Sequence, residues 1–271
     1  MMSSGFHIVV CGSIVPDPLQ TLEPVTDSSG PGLRNELMLP SVLDPWASHA
    51  LYEASDLAKK HPDSKVWWLA LGPKAKLQQL MMSVAQKVPF ELVVVDGSAS
   101  GFVESWEVAE TLAESVESIN GLDRSRLLLF GGWESASRGS CSTLQMLGER
   151  LGIHDQFQGV DELTIQTDGS MRILERVEGG KHQIAVCAGP PAVLGWATGK
   201  LPEPPNNPQV GMMNMRSVMP ALQRARTTQV GAGGVTYSSV QLPEQRRNTR
   251  IVENATPDQI AQELVEWIKG R

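Results

Sequence analysis

The chemistry this sequence advertises most clearly sits in one short stretch: Ser137, Arg138, Gly139, Ser140, Ser142 and Thr143. Hydroxyls and backbone N–H groups at the start of a helix suit an anion, because the helix dipole and the unpaired donors of the first turn favour negative charge. Arg138 adds a guanidinium that can bond the same oxygens. The chemistry implied is the gripping of a phosphate or nucleotide. A serine-capped helix following a strand in any α/β domain has the same appearance, since Ser and Gly favour caps and turns whether or not a ligand is present. The stretch matches neither the Walker A pattern nor the GxGxxG dinucleotide fingerprint.

The elements that must position these groups are legible on either side. Leu127 to Phe130 form a continuous apolar run, as expected of a central parallel strand covered on both faces. Gly131 and Gly132 then allow a sharp turn, and Leu144, Leu147 and Leu151, with Met146 beside them, give the following helix an apolar side. Upstream, residues 6–15, 65–71 and 91–95 are short buried runs that alternate with helical spacing over 46–58, 74–88 and 106–119. Asp44-Pro45 is an N-cap followed by proline at the first helical position. Alternation of this kind predicts an α/β fold with a doubly wound, mostly parallel sheet. In such sheets ligands sit beyond the strand C-termini, so the ends at residues 11–13, 71–72 and 131–132 are expected to meet in one crevice.

After Gly152 the pattern changes. Residues 172–177 and 182–187 flank Glu178-Gly179-Gly180, which predicts an antiparallel hairpin extending the sheet. Residues 189–209 are dense in Pro, Gly and Asn and read as a long loop, followed by a short helix ending at Leu222. Met212, Met213, Met215 and Met219 are either core filler or an adaptable docking surface. The domain organisation expected is a nucleotide-binding α/β domain over 1–228 and a C-terminal arm over 229–271. That arm ends in a helix with a capping box at Thr256-Pro257-Asp258-Gln259, which buries Ile260, Leu264, Trp267 and Ile268 on its own sheet or on another subunit.

With 30 acidic and 23 basic residues the chain carries a formal charge of −7, which argues against nucleic acid as a partner. Cys11, Cys141 and Cys187 are widely spaced, so neither a disulfide framework nor a zinc knuckle is supported. No apolar run approaches a membrane span and the first residues lack the character of a signal peptide, so the chain reads as cytoplasmic and not membrane-embedded. The histidines His7, His49, His61, His154 and His182 are scattered, and no acid/base pair or nucleophile with identifiable partners is evident.

Several short motifs, in order, resemble the beta subunits of the electron-transfer flavoproteins. They are residues 10–17 (VCGSIVPD), Leu43-Asp44-Pro45-Trp46, Ala70-Leu71-Gly72-Pro73, Val177-Glu178-Gly179-Gly180, Ser217-Val218-Met219 and residues 242–246 (LPEQR). The resemblance implies an adenine-nucleotide alpha-hydrolase-like fold and an electron carrier without a substrate-converting site of its own. It implies a heterodimer whose alpha subunit holds FAD, fed by flavin dehydrogenases and drained by a membrane quinone reductase. It also implies AMP in the beta crevice, or a second FAD in bifurcating relatives. Carried over by position, Cys11, Asp44, Leu71, Gly132 and residues 137–143 would line that crevice, and Met213 and Met215 would lie in a partner-recognition loop. The sequence departs from the family where Thr143-Leu144-Gln145 replaces Thr-Gly-Gln, where Ser13 replaces a basic residue, and where Arg176 replaces an acid. The competing reading is an adenine-nucleotide-dependent hydrolase or ligase, or a nucleotide-sensing module, using the same crevice.

Overall fold

The computed structural model describes residues 5–27, 30–97, 103–137, 139–231, 238–241 and 249–270. Gly12 and Ser13 divide the first apolar run into β1 (His7–Cys11) and β2 (Ile14–Pro16). A hairpin of β3 (Pro24–Asp27) and β4 (Gly30–Leu33) follows, and then β5 (Ser41–Leu43), which pairs with β2 and delivers the chain to α1 (Pro45–Lys60). The alternation continues with β6 (Lys65–Gly72), α2 (Lys74–Val84), β7 (Glu91–Asp96), α3 (Ser105–Glu117), β8 (Leu127–Gly132) and α4 (Thr143–Arg150). Then come β9 (Gln156–Ile165), β10 (Met171–Val177), β11 (Lys181–Cys187) and β12 (Ala192–Trp196). The chain goes on to α5 (Pro208–Gln223) and β13 (Arg226–Thr227), and α6 (Pro257–Lys269) comes last.

The main sheet has nine strands in the order β11-β10-β9-β12-β8-β1-β6-β7-β13. All of its pairings are parallel except β9 with β10 and β10 with β11. The expected doubly wound fold with an antiparallel hairpin extension is therefore observed. One core, under α1, α2 and α5, includes Val10, Trp68, Phe130 and Trp196. The opposite core, under α3 and α4, includes Val9, Leu69, Leu129 and Val193. Strict alternation along β1, β6 and β8 feeds both layers, so apolar side chains on either face escape water. Leu127 to Phe130 are fully buried, each worth about 1.5–3 kcal/mol in transfer free energy.

Two expectations are corrected here. Residues 189–209 are not one long loop: Ala192–Trp196 form β12, an inner strand between β8 and β9. The helix before Leu222 is not short. It begins at Pro208, capped by Asn207, so Met213 and Met215 stand inside α5 and not in a loop. Asn214 fixes that helix by donating to the Ala85 and Val88 carbonyls at 2.8 and 2.7 Å and accepting from Phe90 N–H at 3.2 Å. The Glu178-Gly179-Gly180 turn joins β10 to β11 as expected. Near the tip of that hairpin Arg176 grips Asp161 through two bonds of 3.0 and 2.8 Å, and His182 and Thr198 reach the same carboxylate.

The chain divides into two compact units, Met1–Val240 and Gln241–Arg271. In the second, the capping box of Thr256 and Gln259 is formed. Ile260, Leu264, Trp267 and Ile268 recur along one side of α6. Residues 242–246, which carry the arm motif, lie outside the described residues.

Candidate functional site

The chain leaves β1 toward β6 and β7 on one side and returns to β8 on the other, so the winding reverses between β1 and β8. A crevice open to solvent lies beyond the ends of these two strands. That is where the reversal of winding splays the connecting loops apart. Its walls are Cys11 to Ile14 at and beyond the end of β1, Asp44 and Ala47 at the start of α1, Val108 and Leu112 from α3, Gly131 to Ser135 at and beyond the end of β8, and Ser137 with Ser140 to Leu144 leading into α4.

Asp44 organises this site. It caps α1, its Oδ1 accepting from Trp46 N–H at 3.1 Å, while Oδ2 accepts from Ala136 N–H at 2.8 Å in the loop after β8. Its own N–H donates to the Ser13 carbonyl at 3.0 Å. One buried residue thus joins three walls of the crevice, two through its carboxylate and one through its backbone N–H. Burial raises its pKa above the usual value and the nearby Glu134 charge adds to that, while backbone hydrogen bonds from Ala136, Trp46 and Ala47 oppose the rise. Gly132 is needed for the same closeness: a Cβ there would lie 2.6 Å from Trp46 Cβ and 2.7 Å from the Glu134 carbonyl. Without that hydrogen at Gly132, α1 could not begin so near the strand end.

The hydroxyls sit at the other rim. Ser142 occupies the N-cap of α4, yet its side chain caps no backbone N–H, and Glu104 before α3 likewise makes no side-chain cap bond. Ser142 donates instead to Ser140 Oγ at 3.4 Å, and Ser140 Oγ lies 2.9 Å from Ser105 Oγ on α3. Burial pushes the Cys11 thiol up to about 12, which disfavours its thiolate. Burial, and after it the Glu134 charge, also raises the Cys141 thiol.

Of the residues singled out from sequence, the structure brings Cys11, Asp44, Gly132, Ser137, Ser140, Ser142 and Thr143 to one crevice. Leu71 is buried in the core under α3 and α4 and is not among the lining residues. Gly139 is exposed, with φ 61°, and also stands off the lining. Arg138 lies outside the described residues. The sequence reading missed Trp133 and Glu134, although both follow the glycine pair directly, and it missed Ser105, whose partner is 35 residues away.

None of the described lining residues is a histidine, lysine or arginine. The crevice holds hydroxyls, the uncapped first turn of α4 and an apolar wall of Ile14, Ala47, Val108 and Leu112. This donor set fits a ligand with a phosphate at one end and a flat apolar body at the other. Met213 and Met215 stand apart from it on α5: Met213 is 60% exposed, whereas Met215 packs against the core.

A family model described as the electron transfer flavoprotein domain matches residues 35–228. That match takes in Asp44, Gly132 and residues 137–143, together with every strand from β5 to β13 but not the inner strand β1. No curated protein matches the chain.

Proposed function

The chain belongs to the electron transfer flavoprotein family, and from that premise we propose that it is the beta-type subunit of a heterodimer in which a second chain holds FAD. Proteins of this family are electron carriers, and the flavin supplies the redox chemistry when bound. This chain's part is to bind, orient and dock. The observation that carries the subunit reading is α6. It is a preformed helix with a complete capping box whose Ile260, Leu264, Trp267 and Ile268 recur along one side. Four large apolar groups on one side of a helix call for a surface to cover them, and we assign that role to a partner subunit.

Two further features support the carrier reading. Met212, Met213 and Met219 give α5 a soft, exposed surface suited to successive flavin dehydrogenases and to a membrane quinone reductase, because flexible thioethers repack against different partners. The crevice between β1 and β8 suits an adenine nucleotide, AMP before a second FAD, as a structural ligand of this subunit. Ser137, Ser140, Ser142 and Thr143 would hold its phosphate, and Ile14, Ala47, Val108 and Leu112 would face its base. Asp44 holds the walls together and does not touch the ligand's charge.

Deleting residues 240–271 tests the subunit reading. The truncated chain is expected to remain folded and to lose its co-purifying flavin-bearing partner. A truncated chain that still purifies with that partner in equal amounts would refute the assignment of α6.

A further inference from the structure

We infer that Ser105, on α3, is a positioning residue of the crevice that commits the Ser140 hydroxyl to donate a hydrogen bond to an anionic ligand oxygen. The inference rests on the crevice's being a nucleotide site, as proposed above. Ser105 is 6% exposed, and its hydroxyl has Ser140 as its hydrogen-bond partner among the described residues, at 2.9 Å. A buried hydroxyl with its proton unpaired is costly, so Ser105 donates and Ser140 Oγ accepts. Ser142 Oγ donates to the same oxygen at 3.4 Å. With two donors aimed at it, the Ser140 oxygen has both lone pairs occupied. Its own proton has one direction left, and Ser140 is exposed and lines the crevice. Each donated bond also polarises the next O–H, so Ser140 becomes a stronger donor than an isolated serine.

The arrangement selects by chemistry. A phosphate oxygen accepts the Ser140 proton, while a ligand group that offers a proton meets another proton. Ser105 takes part without touching the ligand, from a helix the crevice would otherwise use only through Val108 and Leu112. The relay makes the site sensitive to the ligand's charge and indifferent to its base.

The test is equilibrium binding of AMP and of adenosine to the full-length chain, as wild type, Ser105→Ala and Ser105→Thr. The wild type is expected to favour AMP. Ser105→Ala is expected to weaken AMP by about five- to tenfold, the loss of a hydrogen bond to a charged group being partly replaced by water, and to leave adenosine unchanged. Ser105→Thr, which keeps the hydroxyl, is expected to retain the preference. An equal loss for AMP and adenosine would make Ser105 a merely structural residue and overturn the inference, as would no change for either. Should Ser105→Ala fail to fold, Ser140→Ala takes its place, with the same selective loss expected and an unchanged AMP affinity as the refuting result. A wild type that binds neither probe removes the nucleotide reading itself, and the inference with it.

Discussion

Replacing Asp44 with alanine is the perturbation that most directly probes how the crevice is held together. Three losses and one gain follow from its contacts. The N-cap of α1 disappears, worth about 1 kcal/mol. The 2.8 Å bond to Ala136 N–H goes, worth about 1.5–3 kcal/mol for an ionised acceptor, and leaves that N–H without its partner. Side-chain packing between α1 and the β8 loop is lost to a smaller extent. Against these, the cost of burying a carboxylate is relieved, and burial is the leading cause of the raised Asp44 pKa. The balance is a destabilisation of about 2–3 kcal/mol, or a fall in Tm of roughly 5–10 °C for a unit of this size. Urea unfolding followed by tryptophan fluorescence reads it. Asp44→Asn keeps a good cap but offers one acceptor oxygen where two are needed, so it should recover about 1 kcal/mol of the loss. A change below about 0.5 kcal/mol for the alanine variant would refute the view that this carboxylate binds the crevice walls to one another.

Other consequences can be checked separately. Gly132→Ala places a Cβ 2.6 Å from Trp46 Cβ and against a backbone carbonyl, so it should cost about 2–3 kcal/mol and displace the start of α1; unaltered urea unfolding would contradict the packing described. For Asp161, burial works to raise the pKa, but hydrogen bonds from Arg176, His182 and Thr198 and the Arg176 charge outweigh it and hold the carboxyl below its ordinary value. Its contribution is therefore present above the unfolded value of about 3.9 and is lost as pH falls through the depressed folded value. The stability gap between wild type and Asp161→Asn should be wide at pH 6 and close under strong acid, and a gap that widens on acidification would reverse the sign. Met213→Ala should slow electron acceptance from a flavin dehydrogenase with unfolding unchanged. Met215→Ala should instead lower stability by about 1 kcal/mol, since Met215 packs against the core. Equal behaviour of the two variants would remove the distinction drawn on α5.

What the sequence made legible was whatever local pattern decides. The apolar run of β8, the glycine pair behind it and the Asp44-Pro45 start of α1 all announce themselves within a few residues, and all stand where expected. The hairpin over β10 and β11 was equally plain, because a glycine turn between two strand-like runs has few alternatives. β12 was hidden because five residues flanked by Gly189, Pro190, Pro191 and Gly199 carry no periodicity of their own; pairing with β8 and β9 makes them a strand. The start of α5 was readable in Asn207-Pro208, but the proline-rich surroundings outweighed that signal. The bonds that assemble the crevice were not readable at all. Asp44 meets Ala136 across 92 residues and Ser105 meets Ser140 across 35, and residue type alone does not choose such partners.

The central claim is that this chain is one half of a flavin-carrying pair. The measurement that tests it most directly is the size, subunit content and released cofactors of the native particle, taken together by native mass spectrometry and then by analysis of the denatured sample. The account predicts a one-to-one complex with a different chain, carrying FAD and an adenine nucleotide that is AMP. A particle made of this chain alone, free of flavin, would contradict it.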